Sequence, residues 1–95
     1  MTTKVLAKLF RAVSNEKRLR IIRALLKGLQ TINEVADYTG LPYKTVERHL
    51  KILISADVVK SNRSGLIIAF TLNTSSKTSI QKSLNSIIKL ISTSD

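Results

Sequence analysis

The sequence predicts one small domain that is mainly α-helical and carries a single small β-hairpin. The chain has 95 residues, which is room for one hydrophobic core. As far as residue 56, apolar residues recur at every third and fourth position, as they do on helices. Between residues 58 and 72, β-branched residues become frequent instead, which is typical of strands. The apolar fraction of 43% and the charged fraction of 23% exclude a disordered chain.

Two helices are predicted in the first third of the chain. Thr2 or Thr3 can cap a first helix that runs to about Val13. Ser14 then offers a new N-cap for a second helix over roughly residues 15–27. The apolar stripe of this second helix consists of Leu19, Ile22, Leu25, Leu26 and Leu29.

A third and a fourth helix are predicted on either side of a short turn. Thr31 and Glu34 have the spacing of a capping box, in which each side chain satisfies a free backbone N–H of the other residue. Gly40 is placed to end the third helix in the left-handed conformation. Pro42 fits the first position of the fourth helix, 42–56, where its missing N–H costs nothing. The third helix is expected to bury Ile32, Val35 and Ala36.

The fourth helix has one apolar and one polar face. Val46, Leu50 and Leu53 lie at i, i+4 and i+7 and commit one face to the core. The other face presents cations, one acceptor and an aromatic ring: Tyr43, Lys44, Glu47, Arg48 and Lys51. Two helices joined by a short link, the second with such an outer face, form a helix-turn-helix.

A hairpin follows the fourth helix. Its strands are predicted over residues 58–62 and 66–72, joined by a turn at 63–65 in which Gly65 is available for a positive φ. A helix-turn-helix followed by a hairpin is a winged helix-turn-helix, so the fold class predicted is mainly α with a small β-hairpin.

The charge of the chain points to a polyanionic partner. Sixteen Lys and Arg against six Asp and Glu give a net charge of +10, which destabilises a compact chain unless an anion neutralises it. We therefore expect double-stranded DNA as the partner. The sequence has no apolar run near the roughly 18 residues that cross a bilayer and no signal-peptide pattern, so we expect a cytoplasmic protein without a membrane partner.

The composition argues against an enzyme. Without Cys there is no thiolate metal site and no cysteine nucleophile, and the one His, His49, cannot build a tetrahedral zinc site. The three glycines form no phosphate-binding loop. We predict neither a metal nor a cofactor.

Two segments carry a resemblance to a known family. These are AVSNEKRLRIIRALL at 12–26 and GLPYKTVERHLKIL at 40–53, of which TVERHLKIL at 45–53 is the most specific part. The chain resembles the ArsR-type winged-helix transcriptional regulators over roughly residues 5–72. The resemblance implies a homodimer that binds a pseudo-palindromic operator and represses transcription.

The sequence also departs from that family. Metal-sensing members carry a paired-cysteine box at positions that match Thr31 and Asn33 here, and neither residue can bind as a thiolate. Other members place metal ligands on the last helix, where residues 74–95 offer only Asp95 as an ionised candidate. An Arg commonly follows the wing glycine in the family, and here the residue is Leu66. We therefore expect no metal response.

The predicted DNA-binding set lies on the fourth helix and the wing. Arg48 is suited to a guanine, Glu47 to a cytosine amino group and Lys51 to a phosphate, although Glu47 and Lys51 could equally form a surface ion pair. His49 lies beside the core face and is expected to be packed rather than to read a base. The wing is expected to contact the minor groove or its phosphates, with an ordinary polar turn as the alternative. The set comprises Tyr43, Lys44, Thr45, Glu47, Arg48, Lys51, Arg63 and Ser64.

The two ends of the chain are predicted to form a dimer interface. In the tail, apolar residues repeat at four, three and four and form a narrow seam that needs a second surface. Helix one offers a matching stripe, so 1–13 and 74–95 are assigned to dimerisation around a winged-helix core at 14–73. The alternative is that the tail folds back on its own domain. The interface residues predicted are Val5, Leu6, Leu9, Phe10, Ile80, Leu84, Ile87, Ile88 and Ile91.

Three functions are compatible with these features. The first is a sequence-specific dimeric transcription regulator, and the second is an architectural DNA-binding protein with little sequence preference. The third is a winged helix that binds another protein. Glu47 favours the first, because a carboxylate near phosphates lowers affinity unless it finds a donor on a base.

Overall fold

A computed structural model describes residues 2–73 and 79–93. In these ranges the chain forms five helices and one antiparallel hairpin, which confirms the predicted winged helix-turn-helix. The elements are α1 Thr3–Val13, α2 Glu16–Leu26, α3 Ile32–Thr39, α4 Tyr43–Ser55, β1 Val59–Ser64, β2 Ile67–Leu72 and α5 Ser79–Thr93.

The first two helices begin at polar caps. The Thr2 hydroxyl accepts a hydrogen bond from the Val5 N–H at 3.1 Å, as one of the two predicted caps. For α2 the prediction of Ser14 was wrong by one residue, because the N-cap is Asn15, whose Oδ1 accepts from the Arg18 N–H at 3.1 Å. Ser14 still belongs to the end of α1, since its N–H donates to the Phe10 carbonyl at 2.8 Å.

The turn between α3 and α4 is fixed at both ends. The predicted capping box is present, with the Glu34 N–H donating to the Thr31 hydroxyl at 3.2 Å. Backbone N–H groups of Gln30 and then Thr31 donate to Glu34 and hold the pKa of its carboxyl below the usual value. Gly40 ends α3 with φ +72°, as predicted. Pro42 is the N-cap of α4 and not its first residue, because its ψ of 149° keeps it extended.

The wing is a two-stranded hairpin with a shorter turn than predicted. Ser64 pairs with Ile67, so Gly65 and Leu66 alone form the turn. Gly65 has φ +64°, as glycine has at the first position of a type II′ turn. The Phe70 N–H donates to the Gln30 carbonyl at 2.8 Å, which ties the wing to the loop before α3.

One hydrophobic core joins all the helices and the base of the wing. Its most deeply buried residues come from α2, α3 and α4 and include Val58 just before β1, and α5 packs against α2. No helix in the described part of the chain is long and apolar enough to cross a bilayer. The buried apolar residues are Leu9, Ala12, Val13, Ile21, Ile22, Ala24, Leu25, Val35, Val46, Leu50, Leu53, Val58, Val59, Phe70, Ile88 and Ile91.

Candidate nucleic-acid interface

The helix α4 is anchored by one face and presents the other to solvent. Val46, Leu50 and Leu53 are buried in the core, as their spacing predicted. The DNA-contacting residues predicted on α4 lie on the rest of the helix. Of these, Tyr43, Lys44, Arg48 and Lys51 are exposed, whereas Thr45 and Glu47 are half-buried.

The one acidic residue on this face pairs with a cation of the same helix. Lys44 Nζ lies 3.7 Å from Glu47 Oε1, an i,i+3 ion pair, whereas the surface pair considered as an alternative was with Lys51. Because the Lys44 side chain is 89% exposed, the pair is screened by solvent and contributes little to stability. Glu47 is therefore held only weakly by Lys44.

His49 is part of the protein interior, as predicted. Its side chain is only 6% exposed, and its Nδ1 lies 3.1 Å from Arg18 Nη1 on α2. Burial lowers the pKa of His49, and the nearby charges of Arg18, Arg48 and Lys17 lower it further. The imidazole is therefore neutral at physiological pH, and Nδ1 is an acceptor because a guanidinium only donates.

The turn between α3 and α4 is held by Thr39, which was not among the predicted site residues. Its buried hydroxyl donates to the Val35 carbonyl at 2.7 Å and accepts from the Leu41 N–H at 3.3 Å. A guanidinium N–H of Arg20 donates to the Thr39 carbonyl. The sequence contained a signal that Thr39 is buried, since Thr39 continues the i, i+3, i+4, i+7 spacing of the apolar residues on α3.

The wing differs from the prediction at its tip. Arg63 and Ser64 are exposed but belong to β1, so the prediction that they form the turn was wrong. The reason is that a glycine at the first position allows a two-residue turn, which extends the strand by two residues. Leu66 occupies the tip and is 99% exposed, followed by the exposed Ile67.

The wing lies next to the start of α4. A cleft with a volume of about 240 Å³ separates them, and both elements contribute to its walls. Tyr43 borders it from the start of α4, and Leu66 borders it from the tip of the wing. The full lining is Thr31, Ile32, Asn33, Tyr43, Leu66, Ile67, Ile68 and Phe70.

The residues that match the family's metal-binding box have other roles here. Thr31 caps α3 and Asn33 is exposed in its first turn. Among residues 2–73 and 79–93, no three His, Cys, Asp or Glu side chains come together in a group that could hold a metal ion. Asp95 lies outside the described residues.

The predicted dimer residues fall into four groups. Val5 and Phe10 are exposed on α1, Phe10 to 51%, while Leu6 and Ile87 are half-buried. Ile80 and Leu84 lie outside the residues whose side chains are described. Because they pack into their own protomer's core, Leu9, Ile88 and Ile91 are buried in a single chain and do not form an exposed seam.

The burial of Ile88 and Ile91 agrees with the alternative in which part of the tail folds back on its own domain. Among the α5 residues whose side chains are described, the large apolar residue that projects into solvent is Leu90, which is 71% exposed and was not predicted. Its signal in the sequence is weak, because Leu90 is adjacent to Ile91 and does not belong to the apolar residues that repeat at intervals of four and three.

The fold and the exposed face of α4 define a winged-helix DNA-binding protein. The model of the arsR family of bacterial regulatory proteins matches residues 15–61. The chain is also 31% identical to the transcriptional repressor SdpR of Bacillus subtilis over 86 residues, which are 90% of this chain and 92% of SdpR. The chain belongs to the ArsR family, and it is a DNA-binding transcription regulator.

Solved structures agree with this fold. The homodimeric winged helix-turn-helix domain of Mb0332 from Mycobacterium bovis superposes with a TM-score of 0.75 at 22% identity, covering 93% of this chain and 75% of that one. HlyU from Vibrio cholerae superposes with a TM-score of 0.71 at 24% identity, covering 95% of this chain and 97% of that one.

Proposed function

We propose that the protein is a homodimeric repressor that reads an inverted repeat in double-stranded DNA, with α4 in the major groove and the wing beside it. The observation that carries this proposal is the outer face of α4. Three buried apolar residues hold that helix in place, while cations, a carboxylate and an aromatic ring remain on its accessible side. A single helix fits the major groove, where such groups distinguish base pairs.

The side chains on α4 divide into base readers and phosphate binders. Arg48 is exposed and can donate two hydrogen bonds to guanine O6 and N7. Glu47 can accept from a cytosine amino group when it leaves Lys44. Lys44 and Lys51 then face phosphates, while Tyr43 and Thr45 lie at the first turn, where the helix enters the groove.

The wing supports this geometry because it shares a cleft with the start of α4. Arg63 and Ser64 are exposed on β1 and can reach phosphates or the edge of the minor groove. The tip itself is apolar, so the cationic contact of the wing falls to Arg63 and not to the turn.

Dimerisation is supported by apolar surface that one protomer leaves uncovered. Val5 and Phe10 on α1 and Leu90 on α5 are exposed to solvent, which favours a partner helix over them. A two-fold dimer would place two copies of α4 about 34 Å apart, one turn of DNA. A homodimeric repressor is also supported by the names of two similar proteins, the repressor SdpR and the homodimeric domain of Mb0332.

The proposal includes no metal, no cofactor and no catalytic role. The relatives are regulators rather than enzymes, and Thr31 and Asn33 occupy the positions of the metal-binding cysteines. As a DNA-binding regulator the protein would act in the cytoplasm.

Selection of duplexes from a randomised library at near-physiological salt tests this function. Low salt must be avoided, because it inflates non-specific binding by a protein of net charge +10. An enriched inverted repeat with half-sites about 10 bp apart is the expected result. Strong retention without an enriched sequence would favour the architectural alternative, and no retention would favour a protein partner.

Replacing the wing tip by a cation should strengthen DNA binding. Leu66 is fully exposed where the family commonly has Arg. The substitution Leu66→Arg therefore places a new positive charge next to the phosphate backbone of the DNA without disturbing the protein core. Each added phosphate contact steepens the dependence of log K on log salt by about 0.9. We expect the slope to steepen by an amount that corresponds to about two such contacts per dimer. Titration of operator DNA at several salt concentrations measures it.

The matched control is Leu66→Gln, which is polar but uncharged and should leave the salt dependence unchanged. An equal slope for Leu66→Arg and the parent protein would show that the wing tip does not approach the DNA.

A further inference from the structure

Arg18 on α2 connects the two helices to which the proposed function assigns dimerisation and DNA reading. Its guanidinium makes three contacts with backbone or side-chain atoms outside α2. Nε donates to the Ala12 carbonyl at 2.7 Å, and Nη2 donates to the Arg11 carbonyl at 3.2 Å. Nη1 donates to Nδ1 of His49 at 3.1 Å.

The first two contacts hold the end of α1. Arg11 and Ala12 lie in the last turn of that helix, where carbonyls have no partner within the helix. A positive charge at this end also complements the negative end of the helix dipole. Arg18 therefore caps the C-terminus of α1 from a different helix.

The third contact holds α4 from its buried side. His49 lies between the exposed Arg48 and the buried Leu50, and its own side chain is almost fully buried. Its Nε2 has no hydrogen-bond partner in the described part of the chain, so Nδ1 makes the one polar contact of the ring there. A bond at this position resists rotation of α4 about its own axis.

The guanidinium suits this task because its donors form a planar, rigid fork. Apolar packing between α1 and α4 resists separation of the helices but has little directional preference. Three hydrogen bonds from one planar group add a directional restraint between the two helices, since all three acceptors must lie at fixed positions relative to the guanidinium plane.

We propose that Arg18 is a positioning residue that sets the orientation of α4 relative to α1, and thereby the half-site spacing that the dimer accepts. The inference rests on the proposed function, in which α1 contributes to the dimer and α4 enters the major groove. A small rotation of α4 in one protomer is repeated in the other by the two-fold axis. The bridge from Arg18 to His49 therefore affects which half-site spacing the dimer prefers more than it affects the affinity for a single half-site.

Four variants separate this role from general stability. Arg18→Lys keeps the charge near the end of α1 but cannot bind three acceptors as a planar fork. His49→Leu removes the acceptor on α4, whereas His49→Asn retains an oxygen acceptor at the position of Nδ1. Lys17→Met is the control, because it alters an exposed cation next to Arg18 that takes no part in the bridge.

The measurement is affinity for a panel of duplexes built from the selected operator, at near-physiological salt. The half-site spacing is shortened and lengthened in single base-pair steps, and an isolated half-site completes the panel. Thermal unfolding and sedimentation of each variant establish that it is folded and dimeric before the titration.

We expect Arg18→Lys and His49→Leu to lose about tenfold in affinity at the native spacing and to bind the altered spacings nearly as well. The isolated half-site should be bound as by the parent protein. His49→Asn and Lys17→Met should keep the parental spacing profile.

An unchanged spacing profile in Arg18→Lys and His49→Leu would overturn the proposal, as would an equal loss at every spacing and at the isolated half-site. The proposed function itself fails in a different way, since the parent protein would then show no spacing preference at all.

Discussion

Phe10→Glu is expected to convert the dimer into monomers and to lower operator affinity by about 10²- to 10⁴-fold, the advantage that two linked binding sites have over one. The Phe10 ring is half exposed in the protomer, so the glutamate is tolerated in the monomer but buries a charge in the dimer. Sedimentation velocity gives the oligomeric state, and titration of the operator gives the affinity.

Phe10 is a sharper test of the interface than the seam residues of the tail. Ile87 is half-buried against its own core, so a charge there destabilises the protomer as well as the dimer. Tyr38→Glu is the matched control, because Tyr38 is an aromatic residue of α3 with 44% exposure and lies outside the predicted interface. A Phe10→Glu protein that sediments as a dimer would place the interface elsewhere.

The second large effect is expected at Arg48. Replacing it by Ala should cost about 1–3 kcal/mol per half-site and relax the preference for one base pair in each half-site. The cause is the loss of two hydrogen bonds to one base, since Arg48 is exposed and takes no part in the core. Affinities for operators substituted at each position in turn measure both the cost and the relaxed position.

Lys51→Ala is the comparison for Arg48→Ala. A phosphate contact carries no sequence information, so this variant should weaken binding to all duplexes alike and reduce the salt slope by about one per protomer. If Arg48→Ala retained the parental preference at every base pair, Arg48 would not be a base reader.

The helices were predictable because the apolar residues of each helix recur with helical spacing and its capping residues are adjacent in the sequence. The apolar spacing of Val46, Leu50 and Leu53 defines the buried face of α4, and hence the opposite face, without reference to any other element. The capping box at Thr31 is likewise a local feature. Errors of one residue arose where two neighbours serve equally well, as with Ser14 and Asn15, both good N-caps.

Features that depend on contacts between distant residues were not predictable. The tail carries a helical seam, but nothing local shows that Ile88 and Ile91 cover α2 of their own chain. The bridge from Arg18 to His49 joins residues 31 positions apart. At the wing, turns of two and three residues both accept the glycine, so the exposure of Leu66 followed only from the strand register.

In the proposed complex, two protomers read one inverted repeat through α4. The most direct test compares the selected duplex with a scrambled duplex of the same length and composition, at near-physiological salt, by titration and by the sedimented mass of the complex. Two protomers per duplex and a preference of about 10³-fold or more for the selected sequence are predicted. Equal affinity for both duplexes would contradict the claim and leave a protein that binds DNA by charge alone.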